Sequence, residues 1–494
     1  MKKILSGCFV VMILQLFIPV KGFTQTKVLK LSLQDALEIA RQQSLSAQNA
    51  KQTFRESFYQ YRNFKGEYLP LLAFDAIAPQ IIRSIQQYPY PDGTIGYIRQ
   101  QTAEYQGSLS LTQQIGWTGG KISVFSNLQR IDNLADSTFS SYYSTPVYIG
   151  YTQPLFHFNP YKWEHKTKPL EYEQAKKKYL ETIEEINIKT NDLFFNLLKS
   201  QLGIRIALSN LSYYDTLFKI SIGRYQLGKI AENDLLKCKL SYLQAQAEVE
   251  NSQIQFDEAL TQFRSFLRIN DSIELRVPEE IDFLVVDRQT AFNEAFKNSS
   301  IALQFRLDLL NAAMAVNQAK MDGRFDADLS VFFGLSQSAG KLQDVYKNPM
   351  DQQNASLNLS IPIYDWGVAR GKIKIAQSKQ EITKNLVDQG MIDFKSNVYH
   401  KVAESNIQNN QVRIAAISDT VARKNYEISK ERYLAGKNIT ILELTQAQTD
   451  ADHSAIGFYG ALQSFWRIYF ELRQMTLFDF RTNQPLQFDF KDIR

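Results

Sequence analysis

The sequence predicts an internally duplicated α+β membrane protein. Its strands are pooled by several chains into one shared β-barrel, and its helices form long coiled-coil hairpins. Three observations carry this. First, two unrelated landmarks recur at one offset. Gln153-Pro154-Leu155-Phe156 is echoed by Ile361-Pro362-Ile363-Tyr364, and Arg224-Tyr225-Gln226-Leu227-Gly228-Lys229 by Arg432-Tyr433-Leu434-Ala435-Gly436-Lys437. Pro154 to Pro362 and Gly228 to Gly436 both span 208 residues. Second, the segments before each proline alternate apolar and polar at period two. Third, heptad-spaced stretches almost free of proline follow each of them.

The amino terminus comes first. Lys2-Lys3, an apolar run from Ile4 to Val20 and a polar exit at Lys21–Gln25 have the anatomy of a secretory signal peptide, so residues 1–25 are expected to be cleaved. Leu5-Ser6-Gly7-Cys8 matches a lipobox, but there the apolar run precedes the cysteine and here most of it follows, which argues against lipidation. Cys238 is then the sole cysteine of the mature chain, and an intramolecular disulfide is excluded. With 56 Lys and Arg against 51 Asp and Glu, the net charge of +5 points to no nucleic-acid partner. No later stretch reaches the ~18 apolar residues of a membrane-spanning helix, so an exported chain is either soluble or a β-barrel.

The first repeat is expected over 26–282: a helix at Leu33–Gly66, strands within 68–155 and a helical hairpin over 160–268. Strand candidates are 70–82, 105–115, 121–130 and 146–155, each ~9–13 residues, a length that suits a tilted barrel strand. The connections 83–104 and 131–145, rich in Tyr, Pro, Gly, Asp and Ser, read as long outer loops. A soluble β-sandwich edge would show the same alternation. The helices decide between them. Tyr179, Ile183, Ile186, Thr190, Leu193, Leu197, Ser200, Ile204, Leu208 and Leu211 step by threes and fours, and Phe194, Leu198, Leu202 and Ile206 form a neighbouring seam. Such a helix is on the order of 100 Å long. Gly228 and Gly436 read as left-handed turns into returning helices, about 230–268 and 438–474.

The second repeat is expected over 283–475: a supplementary helix at Arg288–Met321, a β-hairpin over 325–363 and a helical hairpin over 367–474. Residues 476–494 form a tail. Leu329, Val331, Phe333 and Leu335 alternate with Asp328 and Ser330, and Leu357, Leu359 and Ile361 with Asn358 and Ser360. The offset between Ala36 and Ala291 is 255, so the first repeat carries 47 extra residues ahead of Pro154. They hold a hairpin at Ser108–Gln129 around Gly116-Trp117-Thr118-Gly119-Gly120. A handful of strands cannot close a barrel alone, and lipid forbids an open edge, so several copies must share one.

On these duplicated Gln-Pro-Leu-Phe / Ile-Pro-Ile-Tyr-Asp-Trp-Gly and Arg-Tyr-x-x-Gly-Lys elements, the mature chain resembles the TolC-type outer-membrane efflux family. The resemblance implies a homotrimer with an outer-membrane β-barrel set in lipid and a long periplasmic α-helical barrel. It also implies a passive duct for efflux or type I secretion, joined through a periplasmic adaptor (membrane fusion) protein to an inner-membrane pump. The family places four strands per protomer in the barrel. This chain offers four or six, and the sequence leaves the number open.

The resemblance also implies where the site lies. The helical tips Arg224, Tyr225, Gly228, Lys229, Arg432, Gly436 and Lys437 would dock the adaptor. Tyr433 and Asp234 match a gate in which a tyrosine three before the second glycine bonds an aspartate six after the first. Alternatively, Tyr433 packs at a helix end and Asp234 caps the returning helix. The chain departs from the family at Asn438, where a gate arginine is usual, and at Leu442 and Thr445, where aspartates form a ring. Glu443 lies one residue off, ~100° round the helix. An apolar ring at Leu442, closing by dewetting, is the substitute candidate.

Catalysis and cofactors find no support. His157, His165, His400 and His453 lack metal-ligand spacing. Gly119-Gly120-Lys121 lacks the flanking residues of a phosphate loop, with Ile115 and Ile122 in the required places. Glu184-Glu185 and Glu279-Glu280 read as solvated charge. A second class remains open, an exported coiled-coil or adhesin-like stalk with a β-rich head.

Overall fold

The computed structural model describes residues 28–135, 138–277, 283–435 and 439–493. The expected signal peptide, Cys8, Glu279, Glu280, Gly436, Lys437 and Asn438 lie outside the described residues. The chain opens with β1 (Val28–Leu31), α1 (Leu33–Gln43) and α2 (Leu45–Gly66), followed by β2 (Leu71–Pro89), β3 (Ile95–Ile115), β4 (Gly120–Asn133) and β5 (Phe139–Leu155). Next come α3 (Pro160–Gln226), α4 (Glu232–Leu267), β6 (Ser272–Leu275), α5 (Arg288–Asn298) and α6 (Ile301–Asp322). Then follow β7 (Asp326–Ala339), β8 (Met350–Ser360), α7 (Val368–Leu434), α8 (Ile441–Thr476), a small hairpin of β9 (Phe478–Asp479) and β10 (Gln484–Pro485), and a closing 3-10 turn at Phe490–Ile493.

The helices come in length-matched pairs. α1 and α5 have 11 residues, α2 and α6 have 22, α3 and α7 have 67, and α4 and α8 have 36. The helices expected as single stretches over Leu33–Gly66 and Arg288–Met321 are each broken in two. The first breaks at Ser44, whose backbone is extended (φ −63°, ψ 147°). The second breaks at Ser299, also extended. Both serines still donate their backbone N–H to the preceding turn, Ser44 to Ala40 and Ser299 to Ala295.

Two units divide the chain. One comprises Thr190–Ile281 with the residues up to Ser44, the other Leu45–Lys189 with Asp282–Arg494. In the first, β1 and β6 pair in parallel, and Phe194 lies edge-on to Phe195 and Phe263 in a buried cluster. In the second, Ala291 and Ala295 of α5 pack with Val398 and Val402 of α7 and Leu472 of α8. A second core joins Phe54, Tyr172 and Tyr179, and the tail contributes Phe490, 4.7 Å from Phe54 between ring centroids. Among the described residues no helix is long and apolar enough to cross a membrane.

The second unit also holds one antiparallel sheet in the order β2-β3-β4-β5-β7-β8, with β2 and β8 as its edges. The segments 83–104 and 131–145, expected as loops, are mostly strand. Arg83 faces Gln101 and Gln87 faces Tyr97, and the turn is confined to residues 90–94. Ladder hydrogen bonds hold this polar stretch extended where side-chain periodicity gave no signal. Ser84 Oγ donates to Gln100 Oε1 at 3.3 Å and Gln87 Nε2 to the Tyr97 hydroxyl at 3.2 Å, bonding the polar side chains across the strands.

Directly opposed residues share a face. One row runs Leu72, Leu111, Val124, Ile149, Phe333, wholly apolar across five strands. Another, on the opposite face, runs Gln114, Lys121, Thr152, Ser330, Ser356, wholly polar. On the interior strands β5 and β7, Ile149 and Phe333 are about half exposed, whereas Thr152 and Ser330 are half-buried. On these two strands the apolar row is the more exposed one, the polarity suited to lipid.

Candidate functional site

The first tip is built by backbone chemistry. Gly228 has φ +63°, the left-handed conformation that ends helices. Its N–H donates to Tyr225 O at 2.9 Å, and the Lys229 N–H donates to Arg224 O at 2.9 Å. These two bonds form a Schellman motif, which reverses the chain and satisfies carbonyls at the end of α3. The predicted left-handed glycine is therefore present here, whereas its counterpart Gly436 lies outside the described residues. Arg224 is half-buried, Lys229 is exposed, and Tyr225 is 41% exposed.

Asp234 occupies the third position of α4, whose N-cap is Ala231, with no side-chain capping bond. It is thus an acid in the first turn, where the helix dipole favours it, and lies 3.8 Å from Lys237. Tyr433 is buried in the last turn of α7, and Arg432 beside it is exposed. Asp234 and Tyr433 belong to different units.

At the start of α8, Thr440 and Glu443 form a reciprocal capping box. The Thr440 N–H donates to Glu443 Oε2 at 2.8 Å, and the Glu443 N–H donates to Thr440 Oγ1 at 3.2 Å. Glu443 is therefore engaged in holding the helix start. Leu442 stands 77% exposed, and Thr445 is half-buried.

Sequence reasoning missed two features. The first is an exposed heptad stripe on α7, at Ile407, Ile414, Val421 and Ile428, with Leu236, Leu240 and Leu243 forming a similar stripe on α4. The spacing was present in the sequence. The second corrects the reading of Glu184 as solvated. Glu184 is buried and receives a hydrogen bond from Arg473 Nη2 at 2.9 Å, while Glu185 is exposed. Burial alone would lower the Arg473 pKa, but the Glu184 charge and its other neighbours raise it. Beside it, burial pushes the Tyr469 phenol up to about 12, and its hydroxyl donates to Asp479 Oδ1 at 2.9 Å.

A family model described as Outer membrane efflux protein matches residues 96–267 and 298–475. Solved structures are similar over nearly the whole length. The CmeC outer membrane channel of Campylobacter jejuni has 14% identity and a TM-score of 0.65, with 93% of this chain and 88% of that one covered. A membrane protein from Pseudomonas aeruginosa has 15% identity and a TM-score of 0.63, with 90% of each chain covered. The outer membrane protein VceC from Vibrio cholerae has 13% identity and a TM-score of 0.62, with 92% of this chain and 97% of that one covered. At such identities the likeness speaks for the fold. No curated protein matches the sequence.

Proposed function

Because the chain belongs to the outer membrane efflux protein family, we propose that it is the outer-membrane exit duct of a tripartite efflux or type I secretion system. Three copies pool their strands into one barrel. Their helical tips are gated and open when a periplasmic adaptor and an inner-membrane pump dock. The observation that carries this reading is the sheet with its apolar row exposed on β5 and β7 and with two unpaired edges, β2 and β8. An unpaired edge in hydrocarbon leaves several backbone groups without partners, each costing several kcal/mol, and a neighbouring copy is the strand source that removes the cost.

Tyr433 and Asp234 are the proposed gate pair, with Leu442 as an apolar ring. The exposed Tyr225, Lys229 and Arg432, with Arg224, offer the docking surface around each tip. A phenol-to-carboxylate bond is worth ~1.5–3 kcal/mol, enough in three copies to hold a constriction yet breakable by docking. The test is single-channel conductance in a planar bilayer, comparing wild type with Tyr433→Phe and Asp234→Ala. Small, mostly closed currents that grow in both variants are expected. Equal currents in all three would move the gate away from this pair and toward Leu442. Absence of current from inserted, folded assemblies would sink the duct itself.

A further inference from the structure

We propose that the β3–β4 hairpin is a lipid-facing wall of the barrel, so that each copy contributes six strands and three copies contribute eighteen. The inference rests on the outer-membrane channel reading and deepens it by naming which surface meets hydrocarbon. The hairpin lies in line within the sheet. β3 pairs with β2 from Leu71↔Thr112 to Pro89↔Ile95, and β4 pairs with β5 from Lys121↔Thr152 to Asn133↔Phe139. Folding the hairpin away as a lid or plug would strip the ladder from both β2 and β5, and each lost backbone partner is costly in lipid.

Its residue types follow the same apolar and polar rows as β5 and β7, with Leu111 exposed and Gln114 half-buried on β3, although on β4 Val124 is half-buried and Lys121 exposed in the single chain. Leu111 and Val124 continue the apolar row into Ile149 and Phe333, while Gln114 and Lys121 continue the polar row into Thr152 and Ser330. A plug in an aqueous lumen would have no use for an apolar row on one face.

The turn at 116–119 is fixed between the two points where the chain enters and leaves the sheet. Asn159 Nδ2 donates to Gly116 O at 3.0 Å, and Gln153 Nε2 donates to Thr118 O at 3.0 Å. On the other side Gln113 Nε2 donates to Tyr68 O at 2.6 Å, and the Tyr68 ring covers Gly116 so closely that a Cβ there would lie 2.6 Å from it. At the tip of this turn Trp117 is 85% exposed. Phe156, Tyr364 and Trp366 are likewise exposed just outside the ends of β5 and β8, at the same end of the sheet. Aromatic side chains at strand ends mark the lipid–water boundary of barrels. The hairpin thus brings its own interfacial anchor. Barrel diameter grows about linearly with strand number, so six strands per copy give a barrel about one and a half times as wide as four would.

The test uses the full chain in a Cys238→Ser background, reconstituted in phospholipid vesicles, with one spin label per variant. Leu111→Cys and Val124→Cys report the apolar row of the hairpin, Gln114→Cys and Lys121→Cys its polar row, and Phe333→Cys and Ser330→Cys the same rows on β7. Collision with oxygen, which partitions into lipid, is compared with collision with a water-soluble nickel chelate. The expected result is a severalfold higher oxygen-to-nickel ratio at 111, 124 and 333 than at 114, 121 and 330. Nickel access at 111 and 124 alongside oxygen access at 333 would put the hairpin outside the bilayer and overturn the proposal while leaving the channel intact. Nickel access at 333 as well would overturn the barrel reading beneath it. Two labels per row of the hairpin keep the test decisive if one variant fails to fold.

Discussion

Glu471 shows how a side chain on one helix fixes another. It accepts from Lys401 Nζ of α7 at 2.7 Å and from Arg467 Nε of its own helix at 3.0 Å, and Lys401 also reaches Glu404 at 2.7 Å. Burial alone would raise the Glu471 pKa, but Lys401 and Arg467 outweigh it and hold the carboxyl below its ordinary 4.5. Its contribution is therefore present above pH ~4.5 and is lost as pH falls through the lower folded value. Lys401 is shifted above its ordinary 10.5 against the pull of burial, so its share is present below that pH and is lost as pH rises through the folded value. Glu471→Gln should cost about 2 kcal/mol at neutral pH and flatten the acid side of a melting-temperature profile. An unchanged acid limb would show that the bridge is not what titrates. None of this was legible beforehand, because a carboxylate's partner on another helix leaves no mark in local spacing. Glu184 makes the same point: a Glu-Glu pair looked solvated, yet adjacent helical residues point ~100° apart, and one of the two is buried against Arg473.

At the scale of elements, period was the useful signal and also the source of error. It found the long helices, because heptads recur over many turns. It also exposed its own ambiguity. A seam at period 3.5 looks the same whether its partner is in the same chain or in another copy. Leu208, read as part of the α3 seam, is 52% exposed, while Leu193 and Leu197 are buried. On α7, Ile414 and Val421 are 49% and 62% exposed at the heptad spacing of a helix–helix seam. Ile414→Asp combined with Val421→Asp should leave each chain helical but dissociate the assembly, as measured by light scattering in detergent. An assembly of unaltered mass and melting would remove this stripe from the interface. In the strands, the alternation at Leu111 and Val124 was legible. The upper halves of β2 and β3 were not, because their polar side chains bond one another across the ladder.

For the whole molecule, the duplicated landmarks carried the most information, since a shared offset survives divergence that erases individual contacts. The matched helix lengths repeat that pattern in three dimensions. Strand order was beyond the sequence, because nothing local states that β5 neighbours β7. The open edges β2 and β8 lead to an expectation for the assembly: the mature protein in detergent should measure about three chain masses, and its migration should change on heating. A stable monomer in lipid would contradict the shared barrel. The pairing of β5 with β7 also constrains biogenesis. β2 through β5 can zip as successive hairpins soon after they emerge, but Tyr148 meets Gly334 only after α3 through α6 have been made. On the outer-membrane reading, four of the six strands must wait in an aqueous compartment with an open edge between those moments. Survival then becomes a race between self-association and escort. A holdase that shields the nascent hairpins should matter more to the yield of this protein than any adjustment of its final stability.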